Sequence, residues 1–268
     1  MREFDLSFEG IDIHCYEGGS GYPIVMIHGS GPGTASATNW AHVMKPLSQH
    51  YRICAMDLVG YGLSGRKAST PYFDVDMWAR QATFVLNHVA PEGGAVGMIG
   101  HSLGGAITLR TAIGNPRVNK IMLQGSLGGP VELNEAIDKS WQIPKSEQAY
   151  LDLYRNILKI EITPEFARDR LALLRKDGYD AYFASMYSGE RQRYLDQAQL
   201  SPAELSRIAC QIFMVTGAND TCCDFTRDTL KLAESLPQAD VMRMAGAGHP
   251  CSFDQPEKFI AHARAFFG

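Results

Sequence analysis

No stretch of this sequence approaches the ~20 consecutive apolar residues that a membrane span needs, and no apolar signal core follows Met1-Arg2-Glu3-Phe4-Asp5. A cytoplasmic protein is the simplest expectation. Runs of Lys and Arg are missing as well: the formal charge is −4 and the basic residues are scattered, so the electrostatic footprint of a nucleic-acid binder is lacking. The six cysteines, Cys15, Cys54, Cys210, Cys222, Cys223 and Cys251, have none of the paired spacing of a zinc site, and a chain of 268 residues needs no disulfide staples. Reduced thiols are expected. There is no internal repeat and no low-complexity segment. What is present is an ordinary globular composition, 45% apolar and 20% charged, enough for one large core with an insertion and for small-molecule chemistry rather than macromolecular binding.

Short apolar runs recur at Ile24–Ile27, Ile53–Met56, Val96–Ile99, Ile121–Leu123 and Ile212–Val215, each ending near Gly, His or Asp. Apolarity that is continuous rather than alternating means burial on both faces, as in a parallel sheet covered by helices. Helix-like segments separate the later runs, which predicts an α/β domain with its site at the carboxyl edge of the strands. From Gly128-Gly129-Pro130 to about Ser206 the strand-like runs stop. Thr163-Pro164-Glu165 offers an N-cap and an N1 proline, and Ser201-Pro202-Ala203-Glu204 is a capping-box pattern. The domain expectation is therefore a core over residues 1–127 and 207–268 with a helical lid over 128–206. Its aromatic residues, Trp141, Tyr150, Tyr154, Tyr179, Tyr182, Phe183 and Tyr187, suit a lid over a pocket, although most must build the lid's own small core.

Gly100-His101-Ser102-Leu103-Gly104 lies between an apolar run and a helix-like segment. A strand feeding a helix through so tight a turn holds the serine strained and exposed, with small residues letting the backbones pass. Ser102 is the candidate nucleophile. A serine hydroxyl needs a base within hydrogen-bond reach and that base needs an orienting acceptor. Asp220 follows the last clear buried run in Gly217-Ala218-Asn219-Asp220, and His249 sits in the small-residue loop Ala245-Gly246-Ala247-Gly248-His249. Asp224 and Asp228 compete for the acid's place, one further from the strand end and the other inside the following helix. Cys222, Cys223 and Cys251 flank the same region, where small packing residues are the commoner role. His28-Gly29-Ser30-Gly31-Pro32-Gly33 follows the first buried run and can turn N–H groups toward Ser102, so the backbone amides of Ser30 and Leu103 are assigned to an oxyanion hole. His28 reads as a brace for that loop.

These motifs, with Asp57-Leu58-Val59-Gly60-Tyr61-Gly62-Leu63-Ser64 and Gly248-His249, resemble the α/β-hydrolase superfamily over essentially the whole chain. The resemblance implies the α/β-hydrolase fold, a mostly parallel central sheet flanked by helices with a helical lid insertion, and a Ser102-Asp220-His249 triad in the family's order. Within the superfamily, His28-Gly29-Ser30-Gly31-Pro32-Gly33 followed by Asn39-Trp40 is similar to the meta-cleavage product hydrolases, which split a carbon–carbon bond in 2-hydroxy-6-oxo-dienoates formed by ring opening of catechols. That resemblance implies a substrate carrying a carboxylate, contacts at Gly29, Gly31, Asn39, His101 and Arg170, no metal or organic cofactor, and a homodimer. Arg168 or Arg175 could be the inward arginine instead of Arg170. Two positions depart from the family: His101 stands where an asparagine usually precedes the serine, and Pro250 where a tryptophan follows the histidine. His101 is common in esterases, so a carboxylesterase or lactonase is the alternative. A ligand-binding receptor on the same fold is a further one, disfavoured by the intact triad.

Overall fold

The computed structural model describes residues 1–91 and 93–268. Eight strands form one sheet: β1 (Arg2–Phe8), β2 (Ile11–Gly18), β3 (Pro23–Ile27), β4 (Arg52–Met56), β5 (Val96–His101), β6 (Val118–Gln124), β7 (Gln211–Gly217) and β8 (Ala239–Met244). Their order is β1-β2-β4-β3-β5-β6-β7-β8. The pairs β1/β2 and β2/β4 are antiparallel and every later pair is parallel. The five continuous apolar runs are β3 to β7. The N-terminal hairpin has no such run, because its residues alternate between exposed and buried, as befits strands covered on one face.

Alternation within the parallel strands divides the core between the two faces. Val25, Ile27, Cys54, Met56, Met98, Ile121 and Leu123 pack against α1 (Val75–Val89) and α2 (Leu103–Ala112). Ile24, Met26, Ile53, Ala55, Ile99, Met122 and Val215 face the opposite way, toward the helix Pro256–Phe267. Helix α1 starts where the Asp74 carboxylate accepts the Met77 N–H at 2.9 Å and buries Met77, Trp78, Gln81, Ala82, Val85 and Leu86, a stripe at i, i+3, i+4 spacing.

The longer helices between β6 and β7 are α3 (Glu135–Ser140), α4 (Glu147–Ile157), α5 (Pro164–Arg175), α6 (Tyr179–Met186) and α7 (Gln192–Ala198). Thr163 caps α5 through the Phe166 N–H, with Pro164 at its first position, and the Ser201-Glu204 capping box opens the turn Pro202–Leu205. The aromatic residues here mostly pack together. Tyr150 stacks on Tyr154 with ring centroids 4.7 Å apart, and Trp141 stacks on Tyr187 at 4.7 Å. Among the described residues no helix is long and apolar enough to cross a membrane.

Register brings the strand ends level. Ile27 pairs with Gly100, Gly100 with Leu123 and Leu123 with Met214, so the loops after β3, β5, β6 and β7 leave the sheet side by side. The crossing of α2 over β3 is close. A Cβ on Gly104 would stand 2.3 Å from the Ile27 carbonyl oxygen and 2.5 Å from that of His28. Both obstacles are backbone, which cannot swing aside. Gly104→Ala is therefore expected to lower stability by about 2 kcal/mol or more, as overpacking does. Gly94→Ala, where nothing lies within 4 Å, should shift the urea midpoint little; equal midpoints for the two variants would refute the steric argument.

Candidate active site

Ser102 ends β5 and precedes α2 with φ 53° and ψ −118°, in the left-handed half of backbone space that non-glycine residues rarely occupy. Hydrogen bonds hold it there. Its N–H donates to the Gln124 carbonyl at 3.0 Å, and its carbonyl accepts from Gly105 N–H at 2.9 Å and Leu127 N–H at 3.0 Å. The turn presents the side chain to an enclosed cavity shared with Ser30, Asn39, His101, Trp141, Arg170 and His249.

After β7, Asp220 points both carboxylate oxygens at fixed donors. Oδ1 accepts the N–H groups of Cys222 and Cys223, each at 2.8 Å, and Oδ2 accepts from His249 Nδ1 at 2.9 Å. Because the carboxylate only accepts, His249 carries its proton on Nδ1 and leaves Nε2 as the acceptor. Cys222 is close enough to complete a three-ligand cluster with Asp220 and His249, but both carboxylate oxygens are engaged, and burial followed by the Asp220 charge pushes the Cys222 and Cys223 thiols up. The competing acids are occupied elsewhere. Asp224 caps the turn at Thr226 and Arg227, and Asp228 pairs with Arg227 and the Asp224 N–H.

The loop after β3 is braced as expected. His28 accepts the Leu58 N–H on Nε2 at 3.0 Å and donates from Nδ1 to the Gly29 carbonyl at 2.7 Å. Ser30 Oγ accepts from the Trp141 indole at 2.9 Å, and the Pro32 carbonyl accepts from the Tyr150 hydroxyl at 2.8 Å, so α3 and α4 hold this loop from above. Gly31 is wedged against Thr34 Oγ1 and the Tyr154 hydroxyl. Gly29 lies under the His101 ring and Ser102 Cβ, where a Cβ would meet atoms at 2.9 and 3.1 Å.

Of the three arginines on α5, Arg170 is the inward one. It is buried with Ala167, Leu171 and Leu174 on one face of α5, whereas Arg168 and Arg175 are exposed and Arg168 pairs with Glu165. Arg170 donates to the Thr38 carbonyl at 2.9 Å and to the Tyr154 hydroxyl at 3.4 Å, and its guanidinium lies 4.5 Å from the Phe166 ring centroid. Among the described residues no carboxylate pairs with it. Next to it in the cavity wall, Asn39 Oδ1 accepts from His101 Nδ1 at 2.8 Å. Burial, reinforced by His249, holds His101 well below the usual histidine range, and burial lowers His28 too.

Asp254, five residues beyond His249, was not anticipated from the sequence. Its carboxylate accepts from Gly248 N–H at 2.7 Å and from Lys159 N–H at 2.9 Å, while His249 N–H donates to the Ile157 carbonyl at 3.0 Å. The histidine loop is thereby tied to the end of α4. Phe253 from the same turn lines the cavity beside Pro250 and supplies an aromatic wall that Pro250 itself lacks. Asp254→Asn keeps one acceptor and turns an amide toward the other N–H; a loss of about 1.5–3 kcal/mol in urea unfolding is expected for a buried charge-assisted bond. An unchanged midpoint would show that the tie is idle. A second expectation concerns pH. His101 is neutral in the fold and titrates near 6.5 when unfolded, so below that value the unfolded state binds the extra proton. Stability is present above pH 6.5 and falls as pH falls. Relative to His101→Asn, the unaltered protein should lose up to about 1.4 kcal/mol per pH unit below 6.5; parallel stability curves for the two would contradict a buried neutral ring.

Comparison with known proteins bears on the fold and the family. Residues 24–262 match the alpha/beta hydrolase family. The chain is 30% identical over 258 residues to a 2-hydroxy-6-oxo-2,4-heptadienoate hydrolase of Pseudomonas putida, covering 94% of this chain and 91% of that protein. It is also 30% identical to a 2-hydroxymuconate semialdehyde hydrolase of a Pseudomonas species, covering 94% and 89%. Among solved structures, a meta-cleavage product hydrolase from Pseudomonas fluorescens superposes with a TM-score of 0.92 at 25% identity, covering 98% of this chain and 97% of that one. With a serine on a strained strand-to-helix turn and a match that runs nearly end to end, the chain belongs to the alpha/beta hydrolase family and within it resembles the meta-cleavage product hydrolases.

Proposed function

We propose that the protein hydrolyses the carbon–carbon bond of a 2-hydroxy-6-oxo-dienoate, the ring-fission product of an aromatic compound. The observation that carries this reading is Arg170: a buried guanidinium among Tyr154, Phe166 and Thr38, with no carboxylate paired to it among the described residues. A buried cation without an anion is costly, and an acidic substrate removes that cost. The names of the similar Pseudomonas enzymes describe substrates of this class.

In this mechanism the substrate carboxylate docks on Arg170 and the Asn39 amide, with Gly29 and Gly31 giving it clearance. The dienol shifts to its keto form. Ser102 Oγ adds to the distal carbonyl carbon while His249 Nε2 takes the hydroxyl proton, and the N–H groups of Ser30 and Leu103 stabilise the oxyanion. Collapse breaks the carbon–carbon bond. Its electron pair passes into the conjugated acid fragment, which takes the proton back, and the other fragment stays on Ser102 as an ester. Water deprotonated by His249 then releases it as a carboxylic acid. Asp220 keeps the imidazole in the Nδ1–H tautomer and stabilises the imidazolium. Support for residues 128–206 as the lid is that they contribute Trp141, Tyr154, Phe166 and Arg170 to the cavity that Ser102 also lines.

The test follows the absorbance of a purified ring-fission dienoate, with a p-nitrophenyl ester as comparison. Ser102→Ala should abolish multiple turnover. Arg170→Met should lower kcat/KM on the dienoate by about 10²-fold, the loss of two charge-assisted hydrogen bonds at about 1.5 kcal/mol each, with much less effect on the uncharged ester. Ester turnover that leaves the dienoate untouched would replace this reading with a carboxylesterase.

A further inference from the structure

Ser30 lies between Gly29 and Gly31, and glycines on both sides leave its peptide planes free to turn unless something holds them. One plane is held from the sheet. His28 Nδ1 donates to the Gly29 carbonyl at 2.7 Å, and in a trans peptide the Ser30 N–H points the opposite way from that carbonyl. Among the described residues none accepts this N–H, and Gly29 packs against Ser102. A second hold acts on the Ser30 side chain and comes from the helical segment. Trp141, just after α3, donates its indole N–H to Ser30 Oγ at 2.9 Å. Its ring stacks on Tyr187, just after α6, with the planes 17° apart. The Tyr187 hydroxyl bonds that of Tyr61 in the loop after β4 and also reaches Ser30 Oγ. Tyr61 in turn meets the His28 ring edge-on, with centroids 5.3 Å apart. All three aromatic residues are buried, and burial pushes both phenols up, so each keeps its hydrogen across the neutral range.

We propose that Tyr187 is a positioning residue for the oxyanion donor: with Tyr61 behind it and Trp141 stacked on it, it fixes the Ser30 side chain and through it the aim of the Ser30 N–H. The inference rests on the serine-hydrolase reading above, with Ser30 as an oxyanion donor, and names what holds that donor. Ser30 and Trp141 line the cavity with Ser102, whereas neither Tyr187 nor Tyr61 does so among the described residues. The phenol therefore acts through Ser30 and not on the substrate. An apolar ring in its place would fill the same space but leave Ser30 Oγ with the Trp141 bond alone, about which the side chain can swing. Bonds from two directions leave one orientation. A donor aimed before the reaction is worth most, because nothing has to reorganise as charge develops. Linked hydroxyls polarise one another, so Tyr61 strengthens the hold that Tyr187 has on Ser30. The N–H meets the charge that grows on the attacked carbonyl oxygen, so its aim governs turnover of any acyl substrate, whether or not that substrate carries a carboxylate.

The experiment measures kcat and KM of Tyr187→Phe on the ring-fission dienoate and on p-nitrophenyl acetate. Loss of a whole oxyanion donor costs about 10²–10³ in turnover, so a donor that is present but loosely aimed should cost less, about 10-fold in kcat on both substrates. KM should stay within about twofold, because the interaction is made in the transition state. Ser30→Ala keeps the backbone N–H and gives up the hydroxyl that Tyr187 holds, so adding Tyr187→Phe to it should change kcat by no more than about twofold in a double-mutant cycle. A packing role alone would repeat the full Tyr187→Phe loss in the Ser30→Ala background. Unchanged kcat in Tyr187→Phe, a loss confined to KM, or losses that simply multiply each overturn the proposal. Should Tyr187→Phe fail to fold, Tyr61→Phe with and without Ser30→Ala supplies the same cycle. Ester turnover that leaves the dienoate untouched defeats the carbon–carbon reading and leaves this inference standing on the ester; turnover of either substrate by Ser102→Ala removes both.

Discussion

The strained backbone of Ser102 is the constraint around which the other features are arranged. A non-glycine residue at φ 53°, ψ −118° costs on the order of 1–3 kcal/mol and persists only where its surroundings allow nothing else. Three backbone hydrogen bonds, to β6, to the first turn of α2 and to the loop after β6, impose it. The turn also has to lie flat against β3, and the absence of a side chain at Gly104 permits that contact. In return the serine projects beyond the sheet, where α2 begins and where the N–H of Leu103 is free of the helix's own carbonyls.

Around that point the loops are fixed by buried polar groups rather than by apolar contact. Asp57 accepts the N–H groups of Ser36 and Leu63, and Ser64 and Gln81 both donate to its carbonyl. His28 ties the β3 and β4 loops together, and Asp254 ties the histidine loop to α4. Burial raises both carboxyls, which marks the desolvation these groups carry, and the hydrogen bonds offset it. Such fully bonded groups hold one geometry where an oily contact would tolerate several. The positions of Ser102, Asp220 and His249 inherit that definition.

How much of this was legible in the sequence follows from how local each signal is. The buried strands announce themselves as continuous runs, and Ser102 sits in a pentapeptide whose strand-before, helix-after context is contiguous. The hairpin Arg2–Gly18 lacks such a run because one of its faces is covered and the other is wet. Arg170 was ambiguous among three arginines until the phase of α5 was known, since Ala167, Leu171 and Leu174 define the buried face. Asp254 gave no signal, because its role depends on Lys159, 95 positions away. The same holds for the bond between His101 and Asn39, 62 positions apart, which neither residue announces alone.

Arg170 is carried by the helical segment and not by the sheet, yet it grips the sheet's side. Its guanidinium bonds the Thr38 carbonyl, and its own carbonyl lies against Gly33 so closely that a Cβ there would approach within 2.2 Å. On the proposed reading, the charge that recognises an acid is thus bolted to the part that encloses it. Swinging that segment away would carry the cation out of the cavity along with the roof, so an opened form is also one that has lost its attraction for acids.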